Sequence, residues 1–154
     1  MDMLVNLYLL PEDNVPDGIR ICRALPPDTG RILDWVGSNF GVGWRGECMN
    51  ALSQQPAACY IALRDRELVG FACFDATARG YFGPIGVAEG ERGTGIGKAL
   101  LTQCLCGMRE AGYGYAVIGW CDEAQAFYRR TVGAFPIPDS EPENTIYGRL
   151  CRFS

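Results

Sequence analysis

The sequence predicts a mixed α/β fold in which helices pack on both faces of a mostly antiparallel sheet of about seven strands. Two patterns support this prediction. Short apolar segments separated by polar or glycine-rich turns are typical of strands, and apolar residues at helical spacing are typical of helices. In chain order we expect a strand, two helices, three strands, a helix, a strand, a helix and two strands.

The strands are predicted from apolar segments that end at turn residues. The clearest are two strands that flank Arg64-Asp65-Arg66-Glu67, which indicates a hairpin. Another strand follows after a polar turn, so the middle of the chain is predicted to be an antiparallel meander. The predicted strands are residues 19–24, 59–63, 68–74, 81–87 and 115–118, with a leading edge strand at 4–10 and a terminal hairpin within 134–153.

The clearest helix contains Ile96, Leu100, Cys104 and Met108 at helical spacing, and Gly112 ends it. Proline and aspartate before the first helix and glycines between the first two are typical of helix boundaries. The other helices are predicted around residues 32–36, 44–52 and 124–131.

Length and composition indicate one domain with one hydrophobic core, because the chain has 154 residues and 48% of them are hydrophobic. We expect this domain to cover residues 1–154, with residues 1–16 as a leading edge strand and its turn. The apolar stretch at 4–10 has no basic residues before it and ends at Pro11, which is typical of neither a signal peptide nor a membrane span. We therefore expect a cytoplasmic protein with no membrane partner.

The charged residues limit the chemistry. Eighteen acidic residues against fourteen basic ones give a net charge of -4, and no basic stripe is present. This balance argues against nucleic acid as a partner and suits a cationic small substrate better. The chain has no histidine, so mechanisms that need an imidazole base are excluded. Proton transfer must use carboxylate, tyrosine, cysteine, lysine or water.

The cysteines predict neither zinc nor a disulfide framework. They lie mostly in apolar segments, form no C-x-x-C pair and have no histidine to join them. In a cytosolic protein such residues are small buried hydrophobes, and we expect no metal. The eight are Cys22, Cys48, Cys59, Cys73, Cys104, Cys106, Cys121 and Cys151.

A glycine loop joins the strand at 81–87 to the clearest helix. Its sequence is Arg92-Gly93-Thr94-Gly95-Ile96-Gly97, and Lys98 follows. Closely spaced glycines at a helix start present backbone N–H groups and the positive end of the helix dipole to an anion. Phosphate binding is therefore expected, and the alternative is a turn that only tightens the connection. A P-loop is excluded by Arg92 and Ala99, and G-x-G-x-G after several strands does not fit a dinucleotide fingerprint.

This loop resembles motif A of the GNAT superfamily of acyl-CoA-dependent N-acyltransferases. The core of that motif is Arg or Gln, two residues, Gly, one residue, and Gly or Ala, which Arg92, Gly95 and Gly97 match. Residues 85–101 are similar to the family's fourth strand, loop and third helix, and residues 123–134 to its late helix. The resemblance covers residues 68–134 well and is only topological before residue 56. One departure is Trp120-Cys121-Asp122, where many members carry asparagine.

The resemblance implies acetyl-CoA as cosubstrate, transfer of its acetyl group to an amine, and no metal. It also implies that the family's fourth and fifth strands, 81–87 and 115–118, splay apart around the pantetheine arm. Pro84 fits such a break because proline has no N–H for a ladder, with an ordinary edge strand as the alternative. Backbone N–H groups of Ile85, Gly86 and Val87 are the expected polarising donors. The expected CoA-binding loop is Arg92, Gly93, Thr94, Gly95, Ile96, Gly97 and Lys98.

The resemblance further implies that Tyr128 donates a proton to the leaving thiolate, since a phenol is protonated at neutral pH. A packing role is its alternative. Glu47 is the first candidate for the base that deprotonates the amine, with Asp75 and Asp122 as alternatives, and each could be a surface carboxylate. Phe40, Trp44 and Trp120 are the expected walls of the acceptor site.

Two hypotheses about the whole protein follow. The amine acceptor, a small molecule or a peptide, is not readable from the sequence, and an acyl-CoA sensor without catalysis is the alternative to an enzyme. A homodimer is expected because the leading strand and the terminal strands would otherwise leave hydrogen-bonding edges in water.

Overall fold

The computed structural model describes residues 1–153, which contain seven strands and four α-helices and confirm the predicted fold class. The strands are β1 (Met3–Asn6), β2 (Ile19–Arg23), β3 (Cys59–Arg64), β4 (Glu67–Phe74), β5 (Tyr81–Val87), β6 (Tyr115–Ile118) and β7 (Phe135–Pro136). The helices are α1 (Thr29–Phe40), α2 (Val42–Leu52), α3 (Ile96–Glu110) and α4 (Gln125–Val132).

The strands form one sheet in the order β2-β3-β4-β5-β6-β1-β7. Strands β3 to β5 are an antiparallel meander, as predicted, and β2 pairs with β3 in antiparallel orientation at the edge of the sheet. Helix α3 then carries the chain back, so that β6 pairs with β5 in parallel, which is the connection a parallel pair requires. The remaining pairs, β6 with β1 and β1 with β7, are antiparallel.

The leading strand is not an edge strand, and this prediction was wrong. Strand β1 lies between β6 and β7 and pairs with both. It is also shorter than predicted, because Leu7–Leu9 form a 3₁₀ turn in which Asn6 accepts a hydrogen bond from the Tyr8 N–H at 2.9 Å. The argument that an open β1 edge would favour a dimer therefore fails, and the homodimer stays a prediction without that support.

The predicted terminal hairpin is also wrong in its second half. Only Phe135–Pro136 forms a strand, and its partner is β1. The chain after it forms two 3₁₀ turns, Pro142–Asn144 and Ile146–Arg149, the second of which has Thr145 as its N-cap. Among residues 137–153 no segment joins the sheet.

Helices cover both faces of the meander. On one face Trp35 and Phe40 of α1 contact Phe71 of β4, with ring centroids 6.2 and 5.7 Å apart. On the other face α3 packs close to β4, since a Cβ atom on Gly70 would lie 2.8 Å from Leu100. Among residues 1–153, no helix combines the length and the apolarity needed to cross a bilayer.

Candidate active site

Strands β5 and β6 separate after two pairs of residues. Their parallel pairing joins Tyr81 to Val117 and Phe82 to Ile118, and it extends no further among the described residues. Beyond Phe82, strand β5 continues beside β4 alone. Gly83 has a φ of +117°, and the β4–β5 register shifts at the same level, opposite Pro84. The structure therefore confirms the splay that the resemblance implied, and a bulge accompanies the proline.

The open edge of β5 presents two of the three predicted N–H donors. The N–H of Ala88 donates to the Val69 carbonyl of β4 at 2.8 Å. Because N–H groups alternate along a strand, the N–H of Gly86 also points towards β4, whereas those of Ile85 and Val87 point to the open side. Consistently, the Val87 carbonyl accepts a hydrogen bond from Arg92 Nε at 3.2 Å.

A cleft of about 1490 Å³ lies between the separated strands. It is bounded by β5, the glycine loop, α2, α4 and the terminal segment. The predicted site residues that line it are Phe40, Trp44, Glu47, Ile85, Gly86, Val87, Arg92, Gly93, Gly95, Gly97, Lys98, Trp120 and Tyr128.

Two predicted CoA-binding residues direct their side chains elsewhere. The side chain of Ile96 is buried in the core next to Gly70, as its position on the apolar face of α3 requires. The hydroxyl of Thr94 donates to the Glu91 carbonyl at 2.6 Å and closes the turn before the helix. Only the backbone of these two residues can contribute to an anion site.

The glycine loop, residues 92–98, offers its backbone N–H groups to a ligand. Gly93 and Gly95 have φ values of +79° and +92°, a region that favours glycine, and α3 begins at Ile96 without a side-chain cap. The N–H groups of residues 95–98 donate to no backbone carbonyl in the part of the chain described. The start of a helix leaves such groups in need of partners and favours an anion.

Charges near the loop also suit an anion. Lys98 and Arg92 line the cleft at this end. The carboxylate of Glu91 is held away by Arg64 through two hydrogen bonds of 2.8 Å, and this pairing lowers the pKa of Glu91. Because Glu91 is paired with a guanidinium, its carboxylate opposes a bound phosphate less than an unpaired carboxylate would.

Tyr128 lies at the point where the strands separate. It is only 6% exposed and packs edge-on against Phe82, with ring centroids 6.3 Å apart. Burial raises the pKa of Tyr128 well above its usual value, so its phenol is protonated at neutral pH. The residue lines the cleft. This phenol can donate a proton to a group bound there.

A carboxylate and aromatic rings occupy the other end of the cleft. Glu47 of α2 accepts a hydrogen bond from the Thr77 hydroxyl at 2.5 Å. Burial, followed by the charge of Glu47, raises the pKa of Tyr147 to about 12. The rings of Phe40 and Trp44 lie 5.1 Å apart on one side, and on the other side the rings of Trp120 and Tyr147 lie 5.4 Å apart.

The two alternative carboxylates are held by other groups. Asp75 accepts hydrogen bonds from the Gly80 N–H at 2.8 Å and the Tyr113 hydroxyl at 2.9 Å, and it stabilises the turn before β5 outside the cleft. Asp122 lines the cleft but forms an ion pair with the amino group of Met1. Glu47 is therefore the better placed of the three carboxylates to meet a cationic ligand.

Sequence reasoning missed Thr77, Tyr147 and Leu150, which also line the cleft. Thr77 lies in a polar turn, and residues 145–153 were expected to be a strand, so neither had a reason to be selected. Gly119 carried the one available signal. A Cβ atom there would clash with the Tyr147 ring, so glycine lets that ring lie against the backbone where the terminal segment crosses the sheet.

The family is established by comparison. A family model described as the Acetyltransferase (GNAT) family matches residues 29–134, which is more than half of the chain. The chain therefore belongs to the GNAT acetyltransferase family. A search of curated proteins finds no significant match.

Solved structures agree with the fold. A GCN5-related N-acetyltransferase from Sphaerobacter thermophilus is 23% identical with a TM-score of 0.68, over 87% of this chain and 47% of that one. A GCN5-related N-acetyltransferase from Kribbella flavida is 19% identical with a TM-score of 0.66, and the match covers 88% of this chain and 53% of that one. The chain thus spans about half the length of these two proteins. An aminoglycoside acetyltransferase from an uncultured soil metagenomic sample is 20% identical with a TM-score of 0.54, and the match covers 77% of this chain and 90% of that one.

The aromatic wall of the cleft depends on one close approach. The ring of Phe40 lies directly on the backbone of Gly86, where a Cβ atom would be 2.4 Å from its nearest carbon. Any side chain at position 86 must therefore displace Phe40, and with it the neighbouring ring of Trp44.

We expect Gly86→Ala to destabilise the protein by about 1–3 kcal/mol, the usual cost of overpacking. With Phe40→Leu as background, the same change should cost less, because leucine lacks the distal ring carbons, and the difference measures the coupling. Urea unfolding monitored by tryptophan fluorescence checks this. Gly46→Ala, an exposed helical position with nothing within 4 Å, is the control. Equal costs in the two backgrounds would contradict the contact.

Proposed function

We propose that the protein is an N-acetyltransferase that transfers the acetyl group of acetyl-CoA to a primary amine of a small molecule or peptide. One observation carries the proposal: a single cleft joins unpaired backbone N–H groups at a helix start, the open edge of a strand and the protonated phenol of Tyr128. The proposal takes residues 1–154 as one domain, and a cytoplasmic location and a homodimer remain predictions beside it.

The donor end of the cleft fits CoA. The N–H groups of residues 93–98 would bind the pyrophosphate, with Lys98 adding a positive charge. The pantetheine arm would lie along the open edge of β5. Acetyl-CoA supplies an activated acetyl thioester. The N–H groups of Ile85 and Val87 would hold its carbonyl oxygen, where negative charge develops during acyl transfer.

The acceptor end fits a cation. An ammonium group between the Phe40–Trp44 and Trp120–Tyr147 pairs would meet aromatic faces, which attract cations. Glu47 would take the proton that the ammonium must lose before it can react as a neutral amine. Tyr128 holds a proton on its hydroxyl and would donate it to the departing sulfur.

The alternative is an acyl-CoA sensor, which would bind the donor without transferring it. A panel of amines separates the two: an amino sugar, a polyamine, an aminoglycoside, an amino acid and a peptide. We expect acetyl-CoA to be consumed faster in the presence of at least one amine, with the acetylated amine detected by mass spectrometry. Chromatography of free CoA is preferable to a thiol reagent, because Cys151 is exposed. CoA binding with no acetylated product from any amine would favour the sensor.

Gly95→Glu should abolish CoA binding while the domain stays folded. Glutamate at a φ of +92° is strained, and its carboxylate would oppose the pyrophosphate, so affinity should fall at least about tenfold, or about 1.4 kcal/mol. Isothermal titration with CoA measures this. The matched control is Gly90→Glu, an exposed glycine in the same connection that does not line the cleft. Unchanged affinity in a folded Gly95→Glu protein would disprove the CoA site.

Tyr128→Phe should lower turnover by about 10²- to 10⁴-fold, the usual contribution of a positioned proton donor. Phenylalanine keeps the contact with Phe82, so CoA affinity and the melting temperature should hardly change. Tyr113→Phe removes a hydroxyl outside the cleft and should leave turnover intact. Turnover near that of the wild type in a stable Tyr128→Phe protein would assign Tyr128 to packing alone.

A further inference from the structure

Three cysteine side chains meet beneath helix α2. The sulfur atoms of Cys48, Cys59 and Cys73 all lie within 4.8 Å of one another, and each residue is 0% exposed. They come from three elements, α2, β3 and β4, and none of them lines the cleft. Free thiols are present at all three positions.

The strand register brings the first two together. Cys59 and Cys73 are direct partners in the β3–β4 pair. The Phe74 N–H donates to the Ala58 carbonyl at 3.0 Å, which makes 58 and 74 a hydrogen-bonded pair and 59 and 73 the adjacent non-hydrogen-bonded pair. In such pairs the side chains lie closest. Cys48 then covers both from the helix above.

The spacing suits one atom bound by all three sulfurs. A metal–sulfur bond is about 2.3 Å long, so three sulfurs around one atom lie no more than about 4.0 Å apart, and closer together in a pyramidal centre. The three sulfurs lie within 4.8 Å of one another, so binding would draw them closer together. Thiolate ligands select soft, thiophilic elements.

The number of ligands and their charge limit which elements the three cysteines can bind. Structural zinc sites and iron–sulfur clusters take four protein ligands, and no fourth His, Cys, Asp or Glu atom joins this group among residues 1–153. Catalytic zinc takes three protein ligands but keeps an open position for water, which three cysteines that are 0% exposed do not offer. Three thiolates carry three negative charges, and no Arg or Lys side chain is paired with them in the part of the chain described. A charge without a partner is costly in a buried place. A trivalent centre with three thiolates is neutral, whereas a mono- or divalent ion leaves an excess of negative charge.

We propose that Cys48, Cys59 and Cys73 form a binding site for a trivalent, three-coordinate thiophilic element, for which arsenite is the probe. Arsenous acid is a small uncharged solute at neutral pH, so it can reach a buried site without carrying a charge into it. Three S–H and three As–O bonds break, three As–S bonds form, and three water molecules leave. No oxidation state changes. Because Cys48 directly follows Glu47 on α2, the bound element would tie the helix that carries Glu47 to the sheet.

The test uses the full-length protein, reduced with a phosphine and titrated with sodium arsenite. We expect one arsenic per chain, a mass gain of one arsenic less three hydrogens in native mass spectrometry, and the loss of three titratable thiols. X-ray absorption should show three sulfur neighbours and no oxygen. A raised melting temperature should accompany binding, because the ligand binds the folded state.

Variants assign the site. Cys48→Ala, Cys59→Ala and Cys73→Ala should each weaken arsenite binding at least about tenfold, or about 1.4 kcal/mol. The controls are Cys104→Ala, a buried cysteine outside the group, and Cys151→Ser, an exposed one, and both should bind as the wild type does. Arsenic with two sulfur neighbours in the wild-type protein, or binding lost in Cys151→Ser, would overturn the proposal. The sulfur count decides the matter even if a core variant does not fold.

Discussion

The cleft depends on how briefly β5 and β6 pair. Only two residue pairs join these strands, and Phe82 and Ile118 form the last of them. Past that point β5 follows β4, so its outer edge loses a protein partner and becomes available to a ligand. The same pair also fixes the catalytic candidate, because Tyr128 packs on Phe82. One short pairing therefore both opens the sheet and places the phenol of Tyr128 at the opening. Gly83 permits the turn of β5 away from β6.

Strand β1 holds the far side of this opening. It pairs with β6 along the edge opposite β5, which keeps β6 from following β5. The residue just before β1 extends this support: the buried carboxylate of Asp2 accepts a hydrogen bond from the Trp120 N–H at 2.9 Å, and the Asp2 N–H donates to the Ser140 hydroxyl at 2.8 Å. Trp120 has a φ of +47°, an unfavourable conformation for a bulky residue, and this hydrogen bond helps to hold it. The start of the chain therefore positions a wall of the cleft.

What the sequence predicted correctly is local. The periodicity that predicted α3 and the spacing of Arg92, Gly95 and Gly97 that indicated the family each lie within a short segment. Most of the predicted strands do so as well. What it missed is pairing between distant segments. Alternation of apolar residues shows which face of β1 is buried but not which strands lie beside it. For the same reason the spacing of the cysteines gave no sign that three of them meet, since strand register and helix packing bring them together. Tyr147 was missed because its segment failed to become the strand that its apolar residues suggested.

The raised pKa of Tyr128 bears on its proposed role. A phenol that has become a weaker acid is a poorer proton donor to a thiolate in water, whose ordinary pKa is near 8.5. In the cleft, however, the leaving thiolate would share the environment that perturbs the phenol. Burial disfavours both anions, so it raises both pKa values and changes the difference between them less than either value alone. The same low-dielectric surroundings strengthen a hydrogen bond from the phenol to the thiolate.

Tyr147 is less suited to this task, because it lies near Glu47, whose charge opposes a second anion at the acceptor end. Of the two phenols, the one at the point of strand separation is therefore the better placed for the proposed transfer of a proton to a departing thiolate.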